Sequence, residues 1–231
     1  MDIFNPITKL SRSRKIFHLE ADFQFSLAWE IQKEYPDAKI RLEYCPPGND
    51  SKQYIDIMVV TETGWYPIEL KYKTRSLSIN YDGELFRLKD QSAQDQGRYD
   101  FLKDVQRIES FCKYNPEMHK GFAVFLTNDS AYWNGSKGNN TVYEEYKLID
   151  GSIKTGTMSW AKHASGKTIE GRESPIILEQ KYLIEWQDYS KFVNSRYGTF
   201  KYLVLSNRDN ILDKHHFLSD ECLSGEAAFS V

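Results

Sequence analysis

The fold is decided by one stretch, residues 53–73, which reads QYIDIMVVTETGWYPIELKYK. Two runs in it alternate apolar and polar side chains, and Thr61-Glu62-Thr63-Gly64 separates them. Alternation with a period of two is typical of a half-buried β-strand, and a short loop with glycine between two such runs predicts an antiparallel hairpin. If Thr61 pairs with Gly64, counting back along both strands places Asp56 opposite Glu69.

The segments around this hairpin predict a sheet with helices. Apolar residues recur at helical spacing within residues 13–35 and again within residues 92–114, so each segment is predicted to be a helix. Residues 38–44 are predicted to form a strand, and Asp82-Gly83 to form the turn of a second hairpin. Residues 121–127, GFAVFLT, are typical of a strand buried on both faces. This order predicts an α/β fold with a mixed central β-sheet flanked by helices.

The domain organisation follows from the same pattern. We expect residues 1–231 to form a single domain, because the chain contains no long linker and no internal repeat. Residues 18–128 carry the regular pattern. Residues 129–231 are predicted to be a less regular C-terminal extension that adds strands and loops, with the polar, glycine-containing residues 151–174 as a long loop.

Composition excludes several classes of protein. The chain has 231 residues, 40% of them hydrophobic and 27% charged, with a formal net charge of -3. No apolar run approaches the roughly 18 residues that a membrane span needs, and the N-terminus has no apolar core of a secretory signal. We therefore expect a cytoplasmic protein with no membrane association. Cys45, Cys112 and Cys222 form no closely spaced pair, which argues against a disulfide framework or a zinc ribbon.

The hairpin also carries a candidate site. Alternation puts Glu69 and Lys71 on the same face of the second strand, with Asp56 across from Glu69. Two opposed carboxylates repel each other, and a divalent cation would relieve that repulsion. Carboxylate oxygens without nearby histidine or cysteine favour Mg²⁺ or Mn²⁺. Lys71 could then position or help to deprotonate a metal-bound water, which indicates hydrolysis of a phosphodiester.

The arrangement resembles the PD-(D/E)xK nuclease superfamily, also called restriction endonuclease-like. Asp56 is followed across a short hairpin by Glu69-Leu70-Lys71, with a helix before and a helix after, and the resemblance covers roughly residues 18–128. It implies that Asp56, Glu69 and the carbonyl of Leu70 bind Mg²⁺ and that Lys71 assists the attacking water. One departure is Ile55, where the family pattern has proline.

The resemblance also implies a further metal ligand from the first helix. Glu20 lies on the face of the helix that carries Leu27, so it should point inwards, and we favour it because the end of a helix can approach the edge of a sheet. Its rivals on the same helix are Asp22, Glu30 and Glu34. The alternative is that Glu20 interacts only with the positive end of the helix dipole.

Three residues are candidates for contact with nucleic acid. Arg98 begins on the apolar stripe of the second helix, where it would bind a DNA phosphate or a site carboxylate, and Gln94 lies one turn earlier. The alternative for Arg98 is an ion pair with Asp95 within the helix. Lys73 belongs to a basic strip after the hairpin, which is either a phosphate contact or a solvated face.

The function predicted from these residues is a Mg²⁺-dependent nuclease that hydrolyses phosphodiester bonds in DNA. The alternative is a non-catalytic relative that binds nucleic acid or a protein partner. In a third interpretation, lysines neutralise Asp56 and Glu69 in a purely structural sheet. DNA is the expected partner, and a homodimer is left open.

Overall fold

Six strands pair into a mixed sheet at the centre of the protein, whose computed structural model describes residues 1–46, 54–135 and 140–208. Numbered in chain order and given in spatial order, they are β1 (Lys39–Tyr44), β2 (Ile55–Thr61), β3 (Gly64–Lys73), β6 (Phe122–Thr127), β10 (Thr199–Ser206) and β9 (Gln187–Lys191). β3 and β6 run parallel, and the other neighbours in the sheet are antiparallel. The prediction of an α/β fold with a mixed central sheet is confirmed.

The β2–β3 hairpin has the predicted register. Its ladder runs from the pair Thr61 and Gly64 to the pair Ile57 and Ile68, and it stops one position before the predicted pair of Asp56 and Glu69. Gly64 adopts a φ of +144°, and a Cβ atom built there would lie 2.1 Å from Cδ2 of His119. Only glycine combines this backbone conformation with the missing side chain, so Gly64 fixes where the hairpin turns.

Strand β6 lies between two apolar layers. All six of its residues are buried, as its continuous apolar sequence predicts. Val124 and Leu126 pack into the cluster on one face of the sheet, while Ala123 and Phe125 pack into the cluster on the other face. A parallel connection from β3 to β6 needs a crossover, and a helix of 21 residues provides it.

Helices cover both faces of the sheet. α1 (Phe4–Ser13) and α2 (Glu20–Glu34) contribute to the first apolar cluster, and the crossover helix α3 (Gln94–Tyr114) contributes to the second. The prediction of one helix over residues 13–35 places its start too early, because α2 begins at Glu20. Arg14 and Leu19 are extended, and the buried Ile16 and Phe17 anchor the segment between the helices. Within the described ranges, no helix combines the length and the apolar character needed to cross a bilayer.

Among the described residues, two small sheets lie outside the central one. β4 (Leu77–Tyr81) and β5 (Glu84–Leu88) form the predicted second hairpin, in which Asp82 and Gly83 have φ values of 52° and 78°. Two positive φ values in a two-residue loop are typical of the turn that matches strand twist. β7 (Ile153–Met158) pairs with β8 (Ile176–Leu183).

The prediction that residues 151–174 form a loop is wrong in part. This segment contains β7 and a short helix, α4 (Gly166–Ile169), and a 3₁₀ turn at Glu144–Tyr146 precedes it. The chain beyond residue 128 also contributes β9 and β10 to the central sheet. β7 was hard to predict because Lys154 and Gly156 are residue types depleted in strands, and they interrupt a segment that has no regular alternation of apolar and polar residues.

Candidate functional site

The two strands of the hairpin separate at Asp56. The ladder between β2 and β3 ends at Ile57 and Ile68, although β2 remains paired with β1 as far as Ile55. Oδ2 of Asp56 accepts a hydrogen bond of 2.6 Å from the backbone N–H of Leu70. A side-chain carboxylate has thus taken the place of a backbone acceptor, and it lies at an opening between the strands.

Glu20 reaches the same edge of β3 from the start of α2. Its Oε2 accepts a hydrogen bond of 2.6 Å from the backbone N–H of Tyr72, two residues beyond Leu70. Residues i and i+2 of a strand direct their N–H groups to the same side, so the carboxylates of Glu20 and Asp56 lie along one edge of β3. The structure therefore brings together two acids that are 36 positions apart in the sequence.

Gln24, one turn after Glu20, holds β2 in this position. Its Nε2 donates to the backbone carbonyl of Asp56 at 2.7 Å and to Oε1 of Glu43 at 2.8 Å. Sequence reasoning missed Gln24, although its place one turn from Glu20 on the inner side of the helix was a usable signal.

The other three acids of α2 are paired elsewhere. Their partners are Arg14 for Asp22, Lys33 for Glu30, and Lys9 with Asn5 for Glu34.

Glu69 and Lys71 contact α3. Glu69 is 1% exposed, and its Oε2 lies 2.5 Å from Nη2 of Arg107. Nζ of Lys71 lies 2.8 Å from Oδ2 of Asp104, and Oδ1 of Asp104 lies 3.4 Å from Nη2 of Arg107. We name the six charged residues the carboxylate cluster: Glu20, Asp56, Glu69, Lys71, Asp104 and Arg107.

Asp104 and Arg107 were missed from the sequence. Asp104 is buried and lies four residues before the buried Ile108, so a charge on the inner side of α3 was the available signal. Arg107 follows at i+3, a spacing that allows contact with Asp104 on one helix face. Only the packing of α3 against β3 reveals that the two residues meet Glu69 and Lys71.

The cluster contains more negative than positive groups, four carboxylates and two cations. Burial raises the pKa of Asp56 to about 6, and the Leu70 N–H and Lys71 offset this only in part. Burial and then Asp104 raise the pKa of Glu69 well above its ordinary value, against the pull of Arg107. Burial also raises the pKa of Asp104. An excess of buried carboxylates takes up either protons or a cation.

Lys71 behaves differently, because its partner outweighs burial. Burial alone would lower its pKa, but the ion pair with Asp104 and the charges of Glu20 and Asp56 raise it. Lys71 is therefore held as an ammonium, which donates hydrogen bonds and positive charge.

The donor atoms suit a hard divalent cation. Oε1 of Glu69 is buried and has no hydrogen-bond partner among the described residues. Asp56 uses Oδ2 for Leu70, which leaves Oδ1 for a ligand. Carboxylate oxygens are the ligands that Mg²⁺ and Mn²⁺ prefer. In the described part of the chain, no three His, Cys, Asp or Glu side chains are already grouped as a metal site, so we regard the cluster as a source of ligands.

The three candidates for contact with nucleic acid have different environments in the structure. Arg98 is 2% exposed, donates to the carbonyl of Ala131 at 2.6 Å, and has its guanidinium carbon 4.8 and 4.6 Å from the rings of Tyr132 and Tyr143. In this arrangement Arg98 supports the fold rather than presenting a surface charge. Gln94 donates to Oδ2 of Asp129 at 2.9 Å, whereas Lys73 is half-buried at the end of β3.

Comparisons of the chain with protein-family models, with curated proteins and with solved structures give no match. The function must therefore be argued from the carboxylate cluster itself.

Proposed function

We propose that the protein is a metal-dependent nuclease that hydrolyses phosphodiester bonds in DNA, with the carboxylate cluster as its site. One observation carries the proposal. The carboxylate of Asp56 lies at the opening between β2 and β3, and its charge interacts both with Glu69, whose buried Oε1 has no described partner, and with the ammonium of Lys71. Buried acids in excess of cations are costly to a fold, and a metal site is a common reason to retain them.

The order of elements supports the same proposal. The chain runs from α2 through the antiparallel strands β1 to β3 to the helix α3 and the buried strand β6, with the β4–β5 hairpin inserted before α3. The resemblance to PD-(D/E)xK nucleases implies this order of the core elements. The candidate acid lies on the helix before the hairpin, and the Glu-Leu-Lys tripeptide lies on its second strand. This likeness of arrangement supports a restriction endonuclease-like core.

Each residue has a role in the proposed reaction. Asp56, Glu69 and the carbonyl of Leu70 would hold Mg²⁺ or Mn²⁺, with Glu20 as a further ligand. The bound metal would supply positive charge to the phosphate and acidify a water. Lys71 orients that water and stabilises negative charge, and Asp104 holds the Lys71 ammonium in place at 2.8 Å.

The test is cleavage of plasmid and single-stranded DNA with Mg²⁺ or Mn²⁺. Asp56→Asn and Glu69→Gln keep the size of the side chain and one acceptor oxygen but remove the charge, so we expect folded proteins with at least a hundredfold lower cleavage. Glu62→Gln changes an exposed acid in the loop of the same hairpin and is the control. Cleavage that survives both site variants would refute the proposal.

A non-catalytic binding protein is the second candidate, and one observation favours it. Arg107 contacts Glu69 and Lys71 contacts Asp104, so the cluster is partly neutralised by its own side chains. If the pairs are permanent, the wild-type protein will shift DNA in a gel without cutting it, and the binding will not depend on a divalent metal.

A further inference from the structure

Arg107 supplies a positive charge to the buried carboxylate of Glu69. Its Nη2 lies 2.5 Å from Oε2 of Glu69, and its side chain is 24% exposed at the surface of α3. Glu69 itself is almost completely buried. The guanidinium therefore links a buried carboxylate to the solvent-facing side of the helix.

A metal ion and the Arg107 guanidinium compete for the carboxylate of Glu69. Both are cations that take the same carboxylate, and two positive charges a few ångströms apart repel in a partly buried site. Oε1 of Glu69, which has no hydrogen-bond partner among the described residues, is adjacent to the oxygen that Arg107 contacts. Metal binding to Glu69 is therefore weakened as long as Arg107 remains in contact.

Asp104 offers Arg107 a second partner. Its two oxygens are divided, with Oδ2 at 2.8 Å from Nζ of Lys71 and Oδ1 at 3.4 Å from Nη2 of Arg107. A small movement of the Arg107 side chain would exchange the carboxylate of Glu69 for that of Asp104. Lys71 need not move, because it uses the other oxygen.

We propose that Arg107 is an internal competitor of the metal, which holds Glu69 in the metal-free protein and transfers to Asp104 when a divalent cation binds. This inference rests on the proposed function, since it requires Glu69 to be a metal ligand. It makes Arg107 a positioning residue, which sets how readily the site takes up metal.

The test is calorimetric titration of Mn²⁺ into the metal-free full chain, for wild type, Arg107→Gln and a matched control, Arg172→Gln. Arg172 is 26% exposed and binds Asp100 through two nitrogens. Asp100 lies on α3, as Arg107 does, so the loss of Arg172 removes a similar ion pair away from Glu69. We expect Arg107→Gln to bind Mn²⁺ about tenfold more tightly than wild type, because a charged hydrogen bond no longer has to be broken. Arg172→Gln should bind as wild type does.

The outcomes separate the inference from the function on which it rests. Equal or weaker Mn²⁺ binding by Arg107→Gln, with binding retained in wild type, overturns the inference and leaves the metal site standing. No binding by either protein overturns both. If Arg107→Gln does not fold, the ¹⁵N resonance of the Arg107 side chain in wild type decides the matter. It should shift in step with Mg²⁺ binding, and a resonance that stays fixed while Mg²⁺ binds contradicts the inference.

Discussion

At the scale of single residues, Asp56 illustrates how a strand can end in a site. Its carboxylate binds the N–H of Leu70 where the β2–β3 ladder stops, so one side chain both satisfies the backbone and faces the opening. A buried N–H without an acceptor costs roughly 1 to 3 kcal/mol. An asparagine at this position could also accept the hydrogen bond from the N–H of Leu70, whereas binding of a metal needs the negative charge of Asp56.

Lys71 is the residue whose role can be separated from metal binding. Replacing it as Lys71→Met removes the ammonium and leaves Asp56 and Glu69 in place. We expect DNA cleavage to fall by about a hundredfold or more, because the charge beside the phosphate is lost. Mn²⁺ binding measured by calorimetry should be retained and be no weaker than in wild type, because loss of the nearby ammonium removes a charge repulsion from the metal. Loss of Mn²⁺ binding together with cleavage would show that Lys71 builds the site.

At the scale of elements, α3 connects the cluster to the outer β7–β8 sheet. Glu109 is buried on this helix, and its carboxylate accepts hydrogen bonds from the N–H groups of Glu179 and Gln180 and from the hydroxyl of Tyr182. The distances are 2.9, 3.0 and 2.8 Å. A single side chain thus makes three of the hydrogen bonds that hold β8 against α3.

Glu109→Ala should therefore destabilise the protein strongly. Three donors lose their acceptor, and we expect the free energy of unfolding in urea to fall by about 3 kcal/mol. Glu109→Gln retains one acceptor oxygen and should lose less. The exposed neighbour Glu179→Ala is the control, and a loss of under about 1 kcal/mol for Glu109→Ala would contradict this account of how β8 is attached.

Lys154 on β7 predicts how stability depends on pH. Burial lowers its pKa from 10.5 to about 8, with the opposing charges of Glu144 and Glu145 too weak to compensate. Below pH 8 the folded protein therefore carries the full cost of a buried ammonium. From pH 8 to 10.5 only the unfolded chain binds the proton, so the cost disappears as pH rises.

The variant Lys154→Met isolates this effect. It should be more stable than wild type at neutral pH by about 1 to 3 kcal/mol, and the difference should vanish between pH 8 and 10.5. Urea unfolding of both proteins at several pH values measures the difference. A difference that does not change with pH would mean that Lys154 stays charged in the fold, through its contact with the carbonyl of Glu145.

At the scale of the whole molecule, local sequence patterns predict the strands of the sheet. They do not predict how distant elements pack against one another. The β2–β3 register follows from one loop closure, and the burial of β6 follows from its continuous apolar sequence. α1 was missed although Ile3, Ile7 and Leu10 recur at helical spacing and are buried. This spacing predicts a helix at the N-terminus.

The sequence predicts some residues of the candidate site and not others. Glu20 and Asp56 could be found because their elements predict an approach to β3. Asp104 and Arg107 could not, since their contacts with Lys71 and Glu69 depend on how α3 packs across the sheet. The position of Arg98 depends on Tyr132 and Tyr143, which lie in an irregular part of the chain that carries no periodic pattern.

Uptake of Mn²⁺ by the metal-free protein tests the central claim most directly, that the acids of the hairpin form one metal site. In calorimetry we predict that the wild-type chain binds Mn²⁺ and that folded Asp56→Asn and Glu69→Gln each lose that binding, whereas Glu62→Gln keeps it. Wild-type protein that takes up no Mn²⁺, or site variants that bind it as well as wild type does, would contradict the claim.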